Sequence, residues 1–580
     1  MGDTHSISWQ RRYYVHELHT RAVVGGGVAA LSVVVLTLVL LTGAFDSNSE
    51  RPRVVKGSGA RDGGSDGYVA PYLVLDVDHP LGESIYATAH LLAMETGETL
   101  NVGRPRGGAP TITVSAKRPA NARGESVVEH WGAFVSFWGD IEGWNPASDE
   151  TLYLPAERSD ALAAMLGTVV DGGAVQWMTA REIAEHLASG GEGVGILPAG
   201  SANPRMRSVL VGGIDLVRGI GDPASSPLAQ RVWWSWDDDN VGPFAETLVQ
   251  RVNVALPPVT RILLTGDIIP ARCVYSRHRA LDDYTAAFRD VGDALWAADI
   301  TVGSLDAPLS DFATPTACEQ TFNLLAPARS VEGLSVAGFD VMTVATNHAK
   351  DCGSAGFVCD NRSFLDTLAN LKGKGIAPVG GGVDLATARA PVVIERNGVR
   401  FAFLGYDDVS SSFYGATASL PGTAPLSAAN LIQDIATAKA VADVVIVLPQ
   451  WGAEYTPTPT LRQTDLARVA IEAGADVVGG NHPHVVQGVE WFEEGFVAYA
   501  LGNFVFDQDW SIETQQGAVL EATFSGSRLI GVRLVPVRIR EMYKPTWAEG
   551  TEAGSILERM RRSSEALPER APVAGDKKVP

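Results

Sequence analysis

Basic residues are in short supply in this chain. Its 580 residues carry 46 Lys and Arg against 67 Asp and Glu, a formal net charge of −21. The acidic surplus is spread along the chain, and there is no basic face of the kind needed to grip a phosphate backbone, so nucleic acid is excluded as a partner. Cysteine is scarcer still, with four in the chain: Cys273, Cys318, Cys352 and Cys359. Their spacings match no zinc motif, and their even number suggests disulfides, with Cys352 and Cys359 the nearest pair. Buried free thiols are the alternative. Charged residues make up only 19% and apolar ones 46%, a globular composition rather than a disordered one.

Long apolar runs are also rare, and one stands apart. From Ala22 to Phe45 the chain reads AVVGGGVAALSVVVLTLVLLTGAF, uncharged and long enough to span a bilayer as a helix. It shows neither an A-x-A cleavage site nor a lipidated cysteine, and therefore reads as an uncleaved signal-anchor. Arginines at 11, 12 and 21 precede it, while Arg51, Arg53, Lys56 and Arg61 follow, so the positive-inside count is nearly balanced. The expected arrangement is a single pass through the cell membrane, with residues 1–21 as a cytoplasmic tail and the main body extracytoplasmic, where cysteines oxidise.

The length asks for two domains plus tails. Residues 46–67 are polar and rich in Gly and Ser, a linker composition. A first α/β domain is expected over 68–256, from strand-like runs such as YLVLDV and helix-like runs such as TAREIAEHLAS. Its stretch GVGILPAGSANPRMRSVLVGGIDLVRG loosely resembles a lobe of periplasmic solute-binding proteins. The Trp233–Asn240 cluster WWSWDDDN is expected to pack at a domain junction rather than form an exposed recognition edge. Pro257 and Pro258 mark the next boundary, and 260–540 alternates apolar runs with amphipathic segments, as in an α/β fold with a largely parallel sheet. Residues 541–580 read as a polar C-terminal tail holding a short possible helix, SILERMRRSSEAL.

Chemistry gathers where the apolar runs of 260–540 end. RILLTGD places Asp267 there, ITVGSLD places Ser304 and Asp306, and FDVMTVATNHAKD delivers Asn347, His348 and Asp351. VVIVLPQWGAEY supplies Gln450 and Glu454, ADVVGGNHPH supplies Asn481, His482 and His484, and ALGNFVFDQ supplies Asn503 and Asp507. The region holds four of the chain's 11 histidines, and three of them lie at such ends. In α/β sheets, residues beyond the carboxyl ends of strands converge even when distant in sequence. Imidazoles and carboxylates are ligands for zinc, manganese or iron, and such a metal polarises a phosphoryl or carbonyl oxygen and acidifies water. Pro483 is expected to hold the preceding residues extended and the two imidazoles apart.

The segments TGD, SLDAPLS, TNHAKDCG, QWGAEY, HPH and LGNFVFDQ, in that order, resemble the bacterial capsule-synthesis CapA family, which acts in poly-gamma-glutamate capsule production. The resemblance implies a fold related to calcineurin-like metallophosphatases, a divalent metal, and association with envelope polymer and its synthesis machinery. It places Asp267, Asn347, His348, His482 and His484 at metal-ligand positions. Two family positions differ here: Ser304-Leu305-Asp306 replaces Asn-Leu-Glu, and Gln450 replaces a histidine. A metal-dependent hydrolase is the implied activity, with His348 and Glu454 as catalytic candidates. The alternative is a non-catalytic protein that binds or assembles the polymer.

Overall fold

The computed structural model describes residues 53–56 and 70–567, apart from 78, 106–107, 146–147, 168–173 and 354–360. The expected signal-anchor at 22–45 lies outside them; among the described residues no helix is long and apolar enough to cross a membrane.

The chain divides into two compact units. The smaller comprises the described parts of 1–126 together with 231–253. In it Tyr72–Asp76 pairs in parallel with Thr99–Val102 and with Thr111–Ser115, and Trp233 to Trp236 add an antiparallel partner to the last of these. Trp234 and Trp236 are buried within this unit, with the Trp234 indole N–H donating to Ser126 Oγ at 2.9 Å. Residues 53–56, expected to be linker, form a further antiparallel strand against Thr99–Val102. Their β-branched Val54-Val55 pair suits a strand, whereas linker composition belongs to the residues around it.

The larger unit takes the described parts of 127–230 and 254–580. Residues 127–230 were expected to belong with a domain 68–256, but they cluster with the segment that follows. The cause is packing invisible to local pattern. Phe134, Val217 and Ile530 share one core cluster, and the Arg218 guanidinium holds Glu521 through Nε at 2.5 Å and Nη2 at 3.0 Å.

Two sheets form the body of this unit. In the first, the parallel strands β1 (Val259–Ile268), β2 (Ile300–Leu305), β3 (Val341–Thr343) and β4 (Ala377–Val379) are neighbours in that order. In the second, β5 (Val399–Asp407), β6 (Val444–Gln450), β7 (Val477–Gly479) and β8 (Gly495–Ala498) are likewise parallel. The first sheet continues with β9 (Asn503–Val505), parallel to β1, and with the antiparallel pair β10 (Gln516–Ser525) and β11 (Arg528–Arg540). A largely parallel sheet was expected; two sheets form because both faces of each are apolar. Ile262, Leu264, Val302 and Val341 of the first face Phe401, Phe403, Ile446 and Leu448 of the second in one buried cluster. The outer faces carry helices: α1 (Arg272–Leu281) packs Val274 with Leu263, and α2 (Leu461–Glu472) packs Leu466 and Ala470 with Val445 and Val447. Strands covered on both faces must be apolar throughout, which is why they read as continuous runs.

The expected polar tail folds as far as residue 567. Lys544–Trp547 pairs with β11, and α3 (Gly550–Glu565) buries Ile556 and Met560, spaced i to i+4, in the cluster between the sheets.

Gly266 sits where β1 passes the start of β9. A Cβ there would run into the Gly502 carbonyl oxygen, and both segments are held in the sheet. We expect Gly266→Ala to cost ~2 kcal/mol, read as a lower urea midpoint, as for other overpacked interiors. An unchanged midpoint would mean that the crossing can open.

Candidate metal centre

The strands of the two sheets deliver their C-terminal residues to one place. Asp267 lies opposite Ser304 and Asn503 in the first sheet, and Gln450 bridges to Asn481 in the second. Among the contacts that join the sheets at this place, Ser304 Oγ lies 3.5 Å from Gln450 Oε1, and Asn481 Nδ2 donates to the Thr265 carbonyl at 3.3 Å.

Asp267 is fully buried. It accepts from Ser304 Oγ at 2.9 Å and from the His482 backbone N–H at 3.2 Å, and its Oδ2 lies 3.5 Å from His484 Nδ1. Asp306 is equally buried, yet neither of its carboxylate oxygens has a hydrogen-bond partner of good geometry among the described residues. Asn481 Oδ1 is similarly left without a partner among the described residues, and Gln450 Nε2, although Gln450 is close enough to Asp267 to lower its pKa, makes no hydrogen bond of good geometry. Burial drives both carboxyls upward from their ordinary range. Ser304 chiefly opposes this at Asp267, and His348 does so at Asp306.

The three imidazoles share one arrangement. His348 Nδ1 lies 2.7 Å from Asp351 Oδ2, His482 Nδ1 lies 3.2 Å from Asn347 Oδ1, and His484 Nδ1 lies 2.9 Å from Asn503 Oδ1. Asn503 Nδ2 donates to the carbonyls of His484 and Thr514 and to Gln508 Oε1, which assigns its Oδ1 as the acceptor and His484 Nδ1 as the donor. Each ring is thus oriented through Nδ1, and its Nε2 makes no hydrogen bond among the described residues. Metal-ligating histidines are held in this way. Burial pushes His482 down to about 3, and it lowers His484 as well. At His348 burial also acts downward, but Asp306 and Asp351 outweigh it and raise the ring to about 9.

The fit to a divalent cation lies in this chemistry. Two buried carboxylates, one of them without a well-formed hydrogen bond among the described residues, face three imidazoles with Nε2 uncommitted. Among the described residues, no three His, Cys, Asp or Glu side chains already stand at the spacing of a coordinated ion.

The expected extended geometry around Pro483 does not hold. His482 has φ 100° and His484 φ 58°, so both histidines turn the backbone through the left-handed half of φ space. A following proline steers its predecessor to extended φ, and His482 departs from that into a strained conformation, with both rings buried. Glu454 is exposed on the loop after β6 and acts on His348 and His484 through its charge. Of the cysteines, Cys273 and Cys318 form a disulfide. Cys352 is also disulfide-bonded, and its expected partner Cys359 lies outside the described residues.

Two further residues escaped sequence reasoning. Arg272, at φ 55°, pairs with Asp507 at 2.9 Å and lies 5.2 Å from the Phe506 ring. Tyr455, at φ 58°, sets its ring 6.1 Å from His484 and receives a hydrogen bond from Gln508 at 3.1 Å. A solitary Arg and a loop Tyr carry no periodic signal; only their unusual backbone marks them, and that is a property of the fold.

The bacterial capsule synthesis protein family PGA_cap matches residues 261–508. The capsule biosynthesis protein CapA of Bacillus anthracis is 32% identical over 310 residues, 51% of this chain and 73% of the relative. The chain belongs to this family. The PGA biosynthesis protein CapA of Bacillus subtilis (strain 168) is also 32% identical, over 294 residues that make up 50% of this chain and 74% of the relative. Among solved structures, the calcineurin-like phosphoesterase YfkN from Bacillus subtilis overlaps 53% of this chain and 98% of its own at 12% identity, with a TM-score of 0.29, too slight a likeness to carry an inference. Within the PGA_cap match fall all the strand-end residues described here, from Asp267 to Asp507; α3 lies beyond it.

Proposed function

We propose that the chain is a membrane-anchored protein of capsule or poly-gamma-glutamate biosynthesis whose buried centre holds a divalent cation and hydrolyses a bond in an envelope polymer or its precursor. The observation that carries this reading is the buried Asp306, which lacks a well-formed hydrogen bond among the described residues and lies beside Asp267, within the field of His348 and His484. An uncompensated buried charge is costly, and a cation offsets it. Asp267, Asp306, His348, His482 and His484 would hold the ion, whether manganese, zinc or iron. When bound, it supplies Lewis-acid polarisation and a more acidic water. Asp351, Asn347 and Asn503 orient the three rings. Glu454, exposed at the rim, is the group available to accept a proton. The uncharged run 22–45 supports an anchor, and the Cys273–Cys318 disulfide supports an oxidising compartment outside the membrane. The named roles of the CapA relatives support association with polymer-synthesis machinery.

Metal content and polymer cleavage by the purified full-length protein test this. We expect the wild type to bind manganese or zinc and to cut a γ-glutamyl polymer. The double variant His482→Ala, His484→Ala should lose both properties while keeping its circular dichroism. A wild type that binds no metal on titration and leaves the polymer intact overturns the proposal. Gln450, an amide where the family usually has an imidazole, favours a second reading, a polymer-binding or assembly protein; metal and polymer binding without cleavage would establish it.

A further inference from the structure

Beside His484 lies a cavity of about 350 Å³, within the size range of ligand pockets. Tyr455 belongs to both places, lining the cavity while its ring faces the His484 imidazole. Trp510 meets Tyr455 edge to face at 5.9 Å, and both rings are unusually open for aromatic residues, 54% and 42% exposed. Pro457 and Val485 complete an apolar wall. The far side carries one cation, Arg559 of α3, which pairs with Glu513 at 3.3 Å and also donates to the Gln516 side chain. Trp510, Glu513 and Arg559 all lie beyond residue 508, where the family match ends.

From this arrangement we infer that the cavity is a substrate subsite for a carboxylate-bearing polyamide chain, which stacks its amide planes on Tyr455 and Trp510 and sets a carboxylate on Arg559. The inference rests on the proposed action at the neighbouring centre. Aromatic faces accept planar amides, and a guanidinium fork matches a carboxylate. The Arg559–Glu513 pair is itself partly exposed, at 34% and 44%, so it is a weak pair that an arriving carboxylate can displace. Glu513 acts as a placeholder, holding the arginine in position while the cavity is empty. In a chain of net charge −21, a cation at this wall is what allows an acidic polymer to approach the centre against the mean field. A neutral sugar chain would use the aromatic wall and leave Arg559 without a role.

Binding to the full-length protein, followed by Trp fluorescence and calorimetry, tests the subsite with three probes: a short γ-linked glutamate oligomer, the same oligomer with its carboxylates amidated, and a neutral oligosaccharide of similar length. We expect Arg559→Gln to weaken the acidic oligomer about tenfold, the range of one charge-assisted bond, while leaving the amidated oligomer unaffected. Trp510→Ala should weaken both. Glu513→Gln should tighten the acidic oligomer, and a gain cannot come from misfolding. Repeating the series after metal chelation separates this inference from the proposed function. Arginine-dependent binding without metal sustains the subsite even where no cleavage is found. Metal-dependent cleavage whose KM is unmoved by Arg559→Gln and Glu513→Gln overturns the subsite and leaves the hydrolase intact. Preferential binding of the oligosaccharide, or no binding of the acidic oligomer, also overturns it.

Discussion

Asp306→Asn is expected to abolish metal-dependent activity while leaving the metal-free protein as stable as the wild type, or more so. The carboxylate is fully buried, lies near Asp267, and has no well-formed hydrogen bond among the described residues, so without a cation its attraction to His348 offsets only part of the desolvation and of the repulsion from Asp267. Its loss therefore costs little in the empty protein. With metal, the balance reverses. Saturation at about 100 times Kd should stabilise the wild type by ~2.7 kcal/mol, and the variant should gain far less. Activity should fall about 100-fold or more, as for loss of a group that holds or orients a metal. A proton-sensitive readout accompanies this. Burial lowers the His348 pKa while Asp306 raises it, so removing the carboxylate should move the His348 titration down from about 9, seen by imidazole NMR of the metal-free protein. An equal metal-induced rise in melting temperature in variant and wild type would remove Asp306 from the centre.

The second large effect concerns the disulfide. Replacing Cys273 and Cys318 together by Ser should lower unfolding stability by ~4 kcal/mol, because a bond across 45 residues restrains the unfolded chain substantially. Consequences should reach the site as well. Cys273 donates its backbone N–H to Asp507 Oδ2 at 2.9 Å, and the adjacent Arg272 pairs with the same carboxylate from a left-handed conformation. Freed of the crosslink, this strained turn can relax, so KM for polymer should rise along with the lower urea midpoint. A serine pair that unfolds at the wild-type midpoint would show that the bond restrains little.

Much of the larger unit was legible in the sequence. Apolar runs such as RILLTG and DVVIVL announced strands buried on both faces, and the polar groups that follow them marked where strands emerge. Legibility failed where contacts are long-range. Residues 127–230 have a local pattern like that of the residues before them, yet Arg218 finds Glu521 303 positions away. Helix α3 was legible as a short helix but assigned to a solvated tail, because its polar face is strong and the stripe formed by Ile556 and Met560 is narrow. The positive φ of His482 departs from the extended geometry that a following proline favours, while His484, which comes after Pro483, lies outside that rule.

What the sequence determined by itself is the inventory of the centre: which carboxylates, amides and imidazoles stand at strand ends. A buried strand can carry such groups only where it leaves the core, so their places along the chain follow from burial alone. The tertiary structure decided which of them meet. Ser304 reaches Gln450 across 146 residues, and Asn481 reaches Thr265 across 216. No spacing along a chain encodes such meetings, because they arise when the apolar faces of two separate sheets close on each other and bring their polar edges together.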